Sequence, residues 1–133
     1  MNYKILFLTL FLFLTNCATD FSNIETDKQI IKKAFVNKGF TLIYSDILYS
    51  NKIIEKKIDE RSLLIFQKNL SKGTNVKITN IANNKIVIAK VGKKSYYPDF
   101  NNSVISDRIS KQLDLNLEEP YIEILEILEN SVF

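Results

Sequence analysis

Three apolar patterns follow one another along the chain. Ile5 to Leu14 is apolar at every position except Thr9. A run of ~10 such residues is a signal-peptide length, about half of what a helix needs to span a bilayer. Ile30, Ile31, Ala34 and Phe35 then recur on one helical face. Thr26-Asp27-Lys28-Gln29 ahead of them is a capping box, and Gly39 is placed to end the helix. This pattern predicts a helix over 27–38. From Phe40 the pattern changes again. Phe40–Tyr44, Lys52–Ile58, Leu63–Gln67, Asn75–Asn80 and Ile86–Val91 read as strands, rich in β-branched and aromatic residues.

The punctuation between these runs agrees. Asn83-Asn84 is a hairpin turn, since Asn tolerates positive φ, and Gly73 marks another tight connection. Ser106 caps a short helix through Leu113. Pro120-Tyr121-Ile122-Glu123-Ile124 starts as an alternating strand, although Glu123, Glu126 and Glu129 at a spacing of three would suit a helix. Many short strands with a helix at about 27–38 and another at about 106–113 predict a mainly β protein, a small β-barrel.

The apolar start ends in Leu14-Thr15-Asn16-Cys17, which resembles a bacterial lipobox. On that reading residues 1–16 are removed as a lipoprotein signal peptide and Cys17 carries the lipid, palmitate included. An ordinary secretory signal with an incidental Cys is the alternative. Ala18, not Asp, follows the Cys and points to the outer membrane, with the protein facing the periplasm. The expected organisation is a signal peptide at 1–16, a lipidated tether and helix at 17–38, the barrel at 39–128 and a tail at 129–133.

Composition narrows the chemistry. The 133 residues include no His and one Cys. There is thus no Ser–His or Cys–His nucleophile pair, no His general base, no His-ligated metal and no internal disulfide. Catalysis would rest on carboxylates, Lys or Tyr. No cofactor and no metal are expected. Residues 17–94 carry 15 basic and 7 acidic side chains, residues 95–133 carry 2 and 8. Export makes nucleic acid an unsuitable partner for the basic part; anionic envelope polymers and lipid head groups are its expected neighbours, with lysine as plain solvated surface the alternative.

The ordered series Leu70, Gly73-Thr74, Val76-Lys77-Ile78-Thr79-Asn80, Asn83-Asn84-Lys85, Ile86–Val91, Ile105-Ser106, Gln112-Leu113-Asp114-Leu115 and Pro120-Tyr121-Ile122-Glu123-Ile124 resembles rare lipoprotein A. Gly39–Tyr44 would match that family's first strand, so the resemblance covers roughly 39–128. It implies a six-stranded double-psi β-barrel. In active members it implies a peptidoglycan lytic transglycosylase, which needs an acid of tuned pKa in a groove. The family's His falls at Gln67, one Asp at Lys93 and a further Asp at Val104. Asp46-Ile47-Leu48-Tyr49-Ser50 replaces its glycine-rich segment.

Gln67 cannot transfer a proton, Lys93 inverts the charge and Val104 is inert. Asp46, Asp59, Asp99 and Asp107 lie near the groove on this alignment, with Asp99 the weak catalytic candidate beside Tyr96, Tyr97 and Phe100. Those three aromatics read as core closing the barrel mouth, with sugar stacking as the alternative. The former groove would be lined by Gln67, Lys93, Lys94 and Tyr96. The expected protein is a lipid-anchored, non-catalytic envelope barrel that binds peptidoglycan glycan strands or an envelope protein. Its alternatives are an active septal transglycosylase with relocated acids and a purely structural docking lipoprotein.

Overall fold

In the computed structural model, which describes residues 32–129, alternation of apolar and polar side chains becomes a closed sheet. Its strands are β1 (Val36–Ile43), β2 (Leu64–Phe66), β3 (Asn75–Asn80), β4 (Ile86–Val91), β5 (Ser103–Ile105) and β6 (Tyr121–Glu126). They close in the order β1-β5-β2-β4-β3-β6, so every strand finds both neighbours within residues 36–126 and no edge is left. β1 runs parallel to β5 and β2 parallel to β4; the other pairings are antiparallel. Exchanging β1–β3 with β4–β6 leaves this set of pairings unchanged: β1–β5 swaps with β2–β4, β1–β6 with β3–β4, and β2–β5 and β3–β6 map onto themselves. This closed barrel with two interlocked parallel crossovers is the double-psi arrangement.

The alternation decides what fills it. Val76 and Ile78 on β3, Val87 and Ala89 on β4, and Ile122 and Ile124 on β6 point inward and are buried. Each such Val or Ile side chain contributes roughly 1.5–3 kcal/mol by leaving water. Ile109 and Leu113 from α2 (Asp107–Gln112) and its C-cap close this cluster. Ser106 caps that helix: its hydroxyl accepts from the Ile109 amide at 3.2 Å and donates to the Ser62 carbonyl at 2.6 Å. A second cluster of Tyr44, Ile54, Ile58, Phe66, Tyr97 and Val104 plugs the other side. The turns are as their residues require, with Asn84 at φ 60° and Gly73 at φ 88°.

Three elements differ from the sequence pattern. The helix over 27–38 is not formed in its described part: Lys32–Phe35 is irregular and Val36–Lys38 opens β1. Val36, Asn37, Lys38 and Gly39 face Leu125, Ile124, Glu123 and Ile122 of β6, so cross-strand pairing displaces the local helical preference. Positions 27–31 lie outside the described residues. Gly39 ends no helix. It sits inside β1 because a Cβ there would come within 3.2 Å of the Asn102 Cβ.

Lys52–Ile58 is not a strand either. A short helix, α1 (Asp46–Ser50), is followed by a turn with Lys52 at φ 59°, which no strand accommodates. Ile54 and Ile58 drop from this loop into the second cluster. β5, which the pattern missed, is three buried residues with no period to read.

The contrast between inward and outward isoleucines is testable. Ile78→Ala is expected to lose about 2–5 kcal/mol in urea unfolding, and outward Ile88→Ala to stay within about 0.5 kcal/mol of wild type. Equal losses would contradict the inward and outward assignment of β3 and β4.

Candidate functional site

One mouth of the barrel is built from amides. β2 ends at Phe66 and delivers Gln67 there; β5 begins at Ser103, immediately after Asn101-Asn102; β1 contributes Asn37 from its inner face. With Lys68, Asn69, Tyr97, Asp99 and Phe100 these residues line a cavity of about 190 Å³. Gln67 is buried and both ends of its amide are used. Its Nε2 donates to the Asn102 carbonyl at 3.2 Å, and its Oε1 accepts from the Asn69 amide at 2.5 Å. The Thr41 and Ser103 hydroxyls lie 2.8 Å apart, and Ser103 donates to Asn102 Oδ1 at 2.8 Å.

Among the described residues two buried side-chain atoms are left over: Asn102 Nδ2 and Asn37 Oδ1 have no hydrogen-bond partner there. One is a donor and the other an acceptor, and both residues line the same cavity. An unpaired buried amide atom costs about 1–3 kcal/mol.

Lys68 organises the rim. Its ammonium donates to the Tyr97 carbonyl at 2.8 Å and to Asp99 Oδ1 at 2.6 Å, and lies 4.4 Å from the Tyr97 ring centroid and 5.5 Å from that of Tyr96. Its backbone amide donates to the Tyr97 hydroxyl at 3.0 Å, and its carbonyl accepts from Lys94 Nζ at 2.7 Å. The loop 92–102 is thereby tied down over β2. The hydrogen bond from Lys68 and its charge lower the Asp99 pKa, and the same bond raises that of Lys68. Burial raises the Tyr97 hydroxyl.

The residues singled out in the sequence separate here. Gln67, Lys94, Tyr96 and Asp99 gather around Lys68. Lys93 is exposed and takes no part in these contacts. Val104 is fully buried against the second apolar cluster, so where the resemblance expects a catalytic Asp the space is filled by hydrocarbon. Tyr97 is core, as expected, whereas Tyr96 is 61% and Phe100 78% exposed and close nothing. Phe100 stacks on Phe40 at 5.7 Å instead, and Tyr121 meets Phe40 edge-on at 5.1 Å. Asp46 accepts from the Tyr44 hydroxyl at 2.9 Å, which burial and this carboxylate push up to about 12. Asp59 accepts from the Arg61 amide at 2.9 Å, and Asp107 pairs with Lys111 at 2.6 Å.

Cys17 and the signal segment lie outside the described residues. Among the described residues no group of carboxylate, Cys or His side chains could hold a metal ion, and no helix is long and apolar enough to cross a membrane.

Sequence reasoning missed Asn37, Lys68, Asn69, Asn101 and Asn102. The density of amides in 67–69 and 101–102 was the available signal, hidden in a chain where Asn is common. A larger cleft of about 360 Å³, lined by Glu60, Arg61, Asp107, Arg108, Lys111 and Gln112, lies elsewhere. Lys111 holds Asp107 there, and Arg108 Nη1 donates to the Arg61 carbonyl at 3.1 Å.

No family model matches the chain, and no curated protein matches it. Among solved structures it is similar to the crystal structure of the rationally designed mkDPBB_sym2 protein. The identity is 14% over 71% of this chain and 100% of that one, with a TM-score of 0.46. The fold rests on the strand order, not on that likeness.

The Lys68–Asp99 contact has a pH signature. Asp99, lowered, contributes above its unfolded value of about 3.9 and stops doing so as pH falls through its lower folded value. Lys68, raised, contributes below about 10.4 and stops as pH climbs through its higher folded value. NMR titration of the Asp99 carboxyl is expected to show a midpoint below about 3.9 that returns to that value in Lys68→Met. A midpoint unmoved by the substitution would refute the contact.

Proposed function

We propose that this barrel is a non-catalytic binding module of the cell envelope whose amide-lined mouth takes peptidoglycan glycan strands. The observation that carries the reading is the unpaired donor and acceptor, Asn102 Nδ2 and Asn37 Oδ1, beside one cavity. A sugar hydroxyl both donates and accepts, and an acetamido group offers one of each, so either carries functions complementary to this donor and acceptor. At about 190 Å³ the cavity is below the ~300–1,000 Å³ of drug-sized sites, which suits one ring or substituent of a longer chain lying across the mouth. Exposed Phe100 lines the cavity and exposed Tyr96 lies beside its Lys68, and both supply stacking surface.

The electrostatics favour binding over cleavage. A general acid for glycosidic cleavage needs a raised pKa, and Asp99 is moved the other way by Lys68. It is also 97% exposed, outside any desolvated pocket. Gln67 and Val104 carry no titratable proton, and Lys93 stands in solvent away from the mouth contacts. The lipobox-like Leu14–Cys17 supports acylation at Cys17 and a place at the periplasmic face of the outer membrane.

Co-sedimentation of the chain beginning at Ala18 with purified sacculi tests the binding. Wild type is expected to be retained, and Tyr96→Ala and Phe100→Ala each to weaken retention roughly three- to tenfold. No retention of wild type would overturn the glycan reading, and release of anhydromuropeptides would favour an active transglycosylase. Metabolic labelling with palmitate is expected to mark the full chain and not Cys17→Ser.

A further inference from the structure

The outer surface of the sheet carries a second pattern that the mouth does not use. Register sets Ile88 opposite Lys77, Lys77 opposite Leu125 and Leu125 opposite Val36, one row across β4, β3, β6 and β1. The next row runs Ile86, Thr79, Glu123 and Lys38. Lys90 beside Asn75 begins a third. Cross-strand partners share a face, so these side chains form one outward surface. Val36, Ile86 and Ile88 are 52%, 52% and 50% exposed, an aliphatic content unusual for a solvated strand face. Glu123 is the only carboxylate in these rows, and Lys38 pairs with it at 3.6 Å. Lys77 and Lys90 have no ion pair among the described residues. The surface is therefore aliphatic and net cationic.

We infer that this face of β4, β3, β6 and β1 seats on an anionic phospholipid surface. The charge complementarity picks the occupant: lysines without partners meet phosphate head groups, while Val36, Ile86 and Ile88 enter the boundary between head groups and acyl chains. Lysine suits this position because its stem lies along apolar neighbours while the ammonium stays at phosphate level. A second copy of the same chain would oppose like charges across the contact. The chain outside the described barrel adds to this. Val36 stands at the corner of the face, 19 positions after Cys17. A tether of that length spans at most ~65 Å fully extended, which keeps the barrel beside the bilayer. In this last respect the inference rests on acylation at Cys17.

The test omits the acyl chain, so that the face is read by itself. The chain beginning at Ala18 is floated with phosphatidylcholine vesicles, with and without about one-quarter phosphatidylglycerol. Residues 36–126 close the barrel by their own pairings, so the truncated chain retains the face. Flotation is expected with the anionic vesicles alone, and is expected to fall as added salt shortens the screening length. Lys77→Gln and Lys90→Gln should each weaken it roughly fivefold. Ile86→Ser with Ile88→Ser should weaken it further while the far-ultraviolet circular dichroism stays that of wild type.

Absence of flotation, equal flotation with neutral vesicles, or indifference to these substitutions would overturn the inference. So would a concentration-dependent dimer abolished by Ile88→Ser, which would make the face a contact between copies. Loss of palmitate labelling in the full chain would remove the anchor and leave the vesicle result standing, so the two failures are distinct.

Discussion

The structure depends on one strand being shared. β1 pairs antiparallel with β6 along Val36–Phe40 and parallel with β5 along Thr41–Ile43, and no other strand can close that gap. Its two halves serve the two different neighbours on its opposite edges. Gly39 sits where Asn102 approaches, leaving room for that side chain against the backbone. A closed sheet leaves no edge groups unpaired, and the inward rows of β3, β4 and β6 then fill with isoleucine and valine. Closure and filling reinforce each other: hydrogen bonds orient the rows, and burial of the rows stabilises the hydrogen bonds.

Closure also creates the mouth. The inner face of β1 carries Asn37, Gly39 and Thr41, polar or small positions that no aliphatic core would choose. Thr41 is satisfied by Ser103, whereas Asn37 and Asn102 each keep one unanswered atom. Around this polar opening Lys68 holds the loop through Tyr97 and Asp99. The same contact removes Asp99 from consideration as a proton donor, because a cation bonded to a carboxylate stabilises its charged form. Binding capacity and lack of acid chemistry thus come from the same few side chains.

Much of the barrel was legible along the chain. Val76–Thr79 alternates as a half-buried strand should, Ile86–Val91 reads as a strand from its β-branched residues, and the bounds of both strands in the structure are those of the pattern. Ser106 capped its helix as a Ser ahead of an apolar periodic run should. The errors have a common cause. Val36–Lys38 carries a local helical preference that is outweighed by pairing with β6, some 85 residues away. Ile54 and Ile58 looked like strand residues, yet they serve a loop that only needs two apolar side chains to plug the second cluster. β5 is too short to show a period, and its partners are both distant in sequence.

The sequence by itself determined the apolar alternation, the turns at Gly73 and Asn83-Asn84, the helix after Ser106 and the exclusion of His chemistry. These depend on neighbours a few residues apart, where side-chain type governs backbone preference directly. Tertiary structure alone decided that Val36–Lys38 would extend, that Val104 would be sealed in hydrocarbon, and that Lys68 would take Asp99 while Lys93 stayed in solvent. Those outcomes depend on which strands lie side by side after closure. Long-range pairing contributes more free energy than local propensity, so it overrides the local pattern wherever the two disagree.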